Sequence, residues 1–254
     1  MITETAVTAN SIGEVIERLD AIVDWSRRNK SRIGYFATLY RKMTIAVRDG
    51  IANNIFSDGN RMEKLDIIFA NRYLTALDAY INKRPCTNAW CTAFDASENE
   101  DLIVLQHLLL GINTHINLDL CIAASEACPK EEIHELEEDF NKINHIIASL
   151  IPAVQDDLCE VWHPLRVLAA IANHHQEAIL NFSISVARRA SWQNAVILSG
   201  THDTDREKII RSIDENVVEL AGRIMHPGIP IHLVLLPVLK MESRNVPEII
   251  DMLC

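Results

Sequence analysis

Apolar residues recur three and four positions apart through nearly the whole of this 254-residue chain, the period of helices rather than strands. Eight glycines and eight prolines are too few for an all-β protein full of tight turns, and they leave room for long helices. A hydrophobic share of 48% supplies a substantial core. The pattern predicts an all-α fold: one multi-helix, bundle-like domain over residues 1–254 with an irregular C-terminal segment.

Local signals place the elements. Ser11 caps a helix to about Asn29, and Gly34 to Asn53 forms a second with Tyr35, Leu39, Met43 and Val47 along one side. Asp58-Gly59 punctuates the start of a third, Arg61 to Asn82, which Arg84-Pro85 ends. A short helix surrounds Trp90. Asn99 or Glu100 opens a central helix to about Cys128, and Pro129-Lys-Glu-Glu starts another that stops at Ile151, before Pro152. Pro152 and Pro164 bracket a shorter segment; Leu165 to Ala178, Ile184 to Ser199 and Asp205 to Met225 are helical in period, the last capped by Thr204 or Asp205. Ile231 to Leu239 fits a core strand or a short buried helix equally well.

The formal charge of −11, from 35 acidic and 24 basic residues, disfavours a nucleic-acid partner, whose phosphates need clustered Lys and Arg. No run approaches 18 consecutive apolar residues, so a soluble chain with no membrane partner is expected. The first residues lack the basic start and apolar core of a secretion signal. Six cysteines (Cys86, Cys91, Cys121, Cys128, Cys159 and Cys254) have no Cys-x-x-Cys spacing and read as reduced core thiols, which with the missing signal points to the cytoplasm.

The segment His107-Leu-Leu-Leu-Gly-Ile-Asn-Thr-His115-Ile-Asn-Leu-Asp119-Leu sets ionisable and amide groups among leucines and isoleucines. Polar groups that leave water cost roughly 1 to 3 kcal/mol each unless they find partners. His115 and Asp119, four apart, project from one side of a helix and can reach one ion or one substrate atom. Gly111, one turn earlier on that face, implies the close approach of another helix or a ligand. His107 lies two turns from His115, about 12 Å along the axis, too far to share a single metal; it serves a second centre or a core hydrogen bond. Gln106, Asn113 and Asn117 point away from His115, so helices must surround this one. Asp66 on the preceding long helix completes a His, Asp, Asp set suited to zinc, manganese or iron, with Arg72 or Tyr73 steadying charge that develops on a small-molecule substrate. Three readings stay open: a structural network, a divalent-metal site, and a metal-free pocket in which His115, oriented by Asp119, is a general base.

Other candidates are weaker. Adjacent His174 and His175 diverge by about 100 degrees on a helix, although His174 and Glu177 share a face. Arg188-Arg189 beside Trp192 is a candidate anion site, but two arginines make no patch. Gly-x-Gly-x-x-Gly, phosphate-cradling Gly-Lys-Ser/Thr and Gly-x-Ser-x-Gly motifs are missing, so nucleotide-fold and serine-hydrolase readings lack support.

Four blocks in order, Gly34-Tyr-Phe-Ala-Thr-Leu-Tyr, Val47-Arg-Asp-Gly-Ile-Ala, Arg61-Met-Glu-Lys-Leu-Asp66-Ile-Ile-Phe-Ala-Asn-Arg-Tyr-Leu and His107 to Leu120, resemble a bacterial helical family, domain-of-unknown-function family 5995. Asp139-Phe-Asn-Lys-Ile-Asn144 resembles its next block. The likeness covers about residues 30 to 200, implies a helical fold and carries no activity; the final fifty residues match nothing. A fainter likeness is to the helical zinc-dependent phospholipase C and single-strand nuclease group, in which a buried His-x-x-x-Asp holds zinc. That likeness implies a hydrolase with zinc at His115 and Asp119, and with Asp66 in the place of an earlier aspartate. The chain lacks that group's terminal tryptophan ligand and later His-x-x-x-Glu, which reduces the implied centre to one or two metals. The leading expectation is a metal-dependent or His/Asp acid-base enzyme with its pocket between the Asp66 and His115 helices. The alternative is a non-catalytic binding or scaffolding protein.

Overall fold

A computed structural model describes residues 7–161, 175–227 and 239–254, with backbone alone for 148, 151–161 and 175–183. Helices follow the apolar period closely. α1 (Ile12–Asn29) begins where the Ser11 hydroxyl accepts the Glu14 N–H, and ends at Lys30 in the left-handed region. α2 spans Ile33–Ala52, α3 Gly59–Ile81 with Asp58 as cap, and α4 Asn88–Ala96 with Thr87 as cap. α5 (Val104–Thr114), a π-helical turn (His115–Asp119) and α6 (Leu120–Ala127) run on without a break. α7 is Ile133–Val161, after a short 3-10 turn; α8 is His175–Ser199, α9 Asp203–Met225 and α10 Val246–Leu253. Among the described residues there is no strand.

Several boundaries differ from expectation. The central helix starts at Val104, because the Asn99 side chain accepts the Asp101 N–H and closes a local turn first. Its opening N–H groups are met by Gln106 and by Glu242 from the C-terminal segment. α7 continues through Pro152, since an internal proline removes one hydrogen bond without having to end a helix. α9 is flanked by His202, not by Thr204 or Asp205, and α10 had no sequence signal strong enough to announce it. The Leu165 helix start, His174 and the Ile231–Val238 stretch lie outside the described residues.

Cysteine pairing is a correction. Cys86 and Cys91 form a disulfide, because the turn that enters α4 brings two residues five apart to a Cα separation of 6.2 Å. Cys121 and Cys128 are buried thiols, whereas Cys254 is exposed. The argument from thiols to a reducing compartment therefore loses a premise.

Among the described residues the core forms two large clusters and a small third one around Leu102, Leu110 and Ala221. One large cluster gathers α1, α2, α3, α4, α5 and α10 around Tyr35, Tyr73 and Trp90; the other gathers the ends of α2 and α3 with α6 to α9 around Leu118, Ile133 and Phe140. Met43 and Phe69 pack against both. Val104–Ala127 is long and apolar enough to cross a membrane, but 78% of its most apolar window is buried inside the protein.

Candidate functional site

The π-helical turn sets the geometry. The Leu120 N–H bonds to the His115 carbonyl, five residues back, which widens the helix by one residue where its two ionisable side chains sit. Asp119 is 1% exposed and fully engaged: Arg72 Nε donates to Oδ1 at 2.8 Å, Trp90 Nε1 donates to Oδ2 at 2.8 Å, and His115 Nδ1 lies 3.2 Å from Oδ2. Three donors from three further positions on α3, α4 and the turn thus converge on one carboxylate. A neutral His115 with its proton on Nδ1 satisfies this bond and leaves Nε2 as an acceptor. Burial lowers the His115 pKa against the opposing pull of Asp119, so the neutral ring is the stable form. Phe69 stacks on the imidazole at 3.6 Å between centroids, with Tyr40 edge-on at 4.4 Å.

Beyond His115 lies a cavity of about 320 Å³ along the seam between the two core clusters. Leu39, Met43, Leu109, Ile112 and Ile147 typify its apolar wall, and Asp66, His115 and Arg188 stand on it as well. Among the described residues His115 Nε2 and Asp66 Oδ2 are buried without a hydrogen-bond partner. Desolvation, aided by Glu63, pushes the Asp66 carboxyl up to about 7, so it is protonated in mildly acidic solution and offers an O–H donor. Tyr40 feels the charges of both Asp66 and Asp119, and burial raises its pKa well above the usual phenol value.

Amides on the same helix bond to α9 and to each other, and two of them, Asn113 and Asn117, also line the cavity. Asn113 Nδ2 donates to the Val217 carbonyl at 3.0 Å, Asn117 Nδ2 to Asn113 Oδ1 at 3.0 Å, and Gln106 Nε2 to the Ile224 carbonyl at 2.8 Å. These amides clasp α9 through its backbone. Gly111 permits a different clasp, since a Cβ there would stand 2.4 Å from the Phe36 ring.

The sequence candidates separate. His115 and Asp66 face the cavity; Asp119 stands behind His115, and Arg72 behind Asp119. Tyr73 is fully buried among Phe36, Trp90 and Phe94, and it does not line the cavity. His107 belongs elsewhere: it packs edge-on to Tyr35, bonds to the Leu102 backbone and lines a separate hollow of about 20 Å³ with Arg32 and Glu242. Its pKa falls to about 4 through burial and the nearby Arg32 charge. Among the described residues no three His, Cys, Asp or Glu side chains gather closely enough to hold an ion. With both Asp119 oxygens held by N–H donors, the set of Asp66, His107, His115 and Asp119 does not fit a zinc, manganese or iron centre.

Sequence reasoning missed Trp90 and Phe69 as the groups that fix Asp119 and His115, and it undervalued Arg188. α8 buries Arg188 to 3% exposure, with its guanidinium 4.4 Å above the Phe140 ring. The asparagine and phenylalanine that hold it, Asn144 and Phe140, sit in the Asp139 block of α7. Asp139 itself accepts the Ser57 and Asp58 N–H groups and fixes the turn that leads into α3.

The family described as a family of unknown function, DUF5995, matches residues 12–227, and the chain belongs to it. The match extends further than the motif blocks alone indicate, taking in α1 and α9. No curated protein and no solved structure matches the chain.

Proposed function

We propose that this chain is a small-molecule-binding protein whose occupant is largely apolar, carries a hydrogen-bonding group and lies in the cavity beside Asp66 and His115. One observation carries the reading: among the described residues three buried polar atoms, Asp66 Oδ2, His115 Nε2 and Tyr40 Oη, have no hydrogen-bond partner, and all three belong to residues that line a largely apolar cavity. Each such atom costs roughly 1 to 3 kcal/mol when unpaired, and a ligand hydroxyl or carbonyl removes that cost. Neutral Asp66 supplies a donor and His115 an acceptor, while Phe69, Ile112 and Leu109 supply apolar contact. A volume of about 320 Å³ falls at the lower end of small-molecule sites. The chain's charge of −11 gives no support to a nucleic-acid partner.

Calorimetric titration with 1-decanol tests this. Binding with a negative heat-capacity change is expected in the native protein. Ala187→Phe, which grows a ring from the cavity wall, is expected to abolish it while the fold persists. A native protein that takes up no apolar alcohol contradicts the proposal.

A second reading rests on the His115–Asp119 pair, since an imidazole oriented through Nδ1, with Nε2 unpaired among the described residues and the residue lining a cavity, has the arrangement of a general base. In that reading His115 deprotonates a water that attacks an ester carbonyl of the occupant. Slow hydrolysis of p-nitrophenyl decanoate, lost in His115→Gln while 1-decanol still binds, supports catalysis. Equal hydrolysis by both proteins removes it.

A further inference from the structure

We infer that Arg188 anchors an anionic head group, so that the occupant of the cavity is a medium-chain carboxylate; this inference rests on the binding reading above and adds the charge of the ligand. Among the described residues Arg188 is the one cationic side chain on the cavity wall, 3% exposed on a helix whose neighbour Arg189 is exposed to solvent. Buried charges in proteins are ordinarily met by an opposite charge. Here the partners are neutral. Arg188 Nε donates to Asn144 Oδ1 at 2.6 Å, one Nη donates to the Phe140 carbonyl at 2.6 Å, and the Phe140 ring lies beneath the guanidinium. Those bonds use only part of the guanidinium's donor set.

Among the described residues no carboxylate pairs with Arg188, in a chain that carries 35 acidic residues. Elsewhere the same chain does supply carboxylates to its half-buried arginines: Asp119 to Arg72, Glu135 to Arg61 and Glu126 to Arg206. The site is therefore a preorganised cation with spare N–H groups and, among the described residues, no counter-ion. Guanidinium and carboxylate match in geometry and charge, and the apolar remainder of the wall fits an alkyl chain. Arg188 bonds to Asn144 and Phe140 and not to Asp66, whose Oδ2 has no partner among the described residues, so the two polar groups do not pair with each other. An occupant with its carboxylate at Arg188 and its chain along Ile112, Ile147 and Leu109 uses both features.

The test is a calorimetric series of decanoate, 1-decanol and decylamine, each below its micelle concentration and at about pH 6, where Asp66 is largely neutral. Decanoate is expected to bind about tenfold or more tightly than the alcohol, the factor that one charge-assisted hydrogen bond supplies, and the amine more weakly than either. Arg188→Gln is expected to erase the preference for decanoate while the alcohol still binds, and Arg188→Lys to retain part of it. If Arg188→Gln does not fold, the ranking of the three ligands on the native protein still decides. Equal binding of decanoate and 1-decanol, or tighter binding of decylamine, overturns the anion assignment and leaves the apolar-ligand reading standing. Failure of all three ligands overturns both.

Discussion

Two buried aspartates, Asp119 and Asp66, differ in what surrounds them, and the difference separates the part of this molecule that holds its shape from the part able to bind. Asp119 accepts from Arg72, Trp90 and His115, which joins α3, α4 and the π-helical turn through one carboxylate. Asp66 is almost as deeply buried and lines a cavity, yet among the described residues its Oδ2 has no partner. A saturated charge fixes helices in place; a carboxyl with an unpaired oxygen can still take a hydrogen bond. His115 links the two, since its Nδ1 meets Asp119 and the residue lines the cavity.

The comparison breaks most visibly at Asp119. Asp119→Ala strands the Arg72 guanidinium and the Trp90 N–H, and urea unfolding is expected to show a loss of about 3 to 5 kcal/mol. Should Asp119→Ala unfold at the same urea concentration as the native protein, the closed network holds nothing together.

Asp66 behaves in the opposite sense. Its folded-state pKa of about 7 exceeds the ordinary value of 3.8, so the folded chain holds a proton that the unfolded chain releases. Stability therefore falls as pH rises from about 4 to about 7, with full effect above that range and none below it. Asp66→Asn removes the titration, and at about pH 8 it is expected to unfold less readily than the native protein by up to about 4 kcal/mol, the two converging near pH 4. A stability difference that stays constant with pH contradicts the burial of that carboxyl as a proton-holding group.

Smaller effects sharpen the comparison along the central helix. Gly111→Ala drives a methyl group into Phe36, whose Cβ as well as its ring is in the way, and a loss of about 1 to 3 kcal/mol is expected in the same unfolding assay. Asn117→Ala removes one bond between amides on a half-buried position, and about 0.5 to 1.5 kcal/mol is the expected cost.

Much of this arrangement was legible in the residues. Apolar spacing placed most helices, Ser11 announced the first cap, and His-x-x-x-Asp within an apolar run marked the pair that the π-helical turn brings together. Gly111 correctly signalled a close approach. The π-helical turn itself was not legible, because an extra residue in a helix is stabilised by tertiary contacts rather than by local preference. Trp90 and Arg72 as joint donors to Asp119 required knowing which faces of α3 and α4 meet. Arg188-Arg189 gave only a weak anion-site signal, because adjacency in sequence does not say which of two arginines turns inward. The Cys86–Cys91 bond lacked a recognisable spacing, and among the described residues the metal candidates do not gather into a set of three, since plausible ligands on separate helices need not converge.

Carbon-13 NMR of aspartate-labelled protein tests the central claim most directly by following the Asp66 carboxyl through titration, with Asp66→Asn to assign it. The account predicts a midpoint near 7 that shifts when 1-decanol is added, because the cavity's occupant meets that group. A midpoint near 4, unchanged by the ligand, would contradict it.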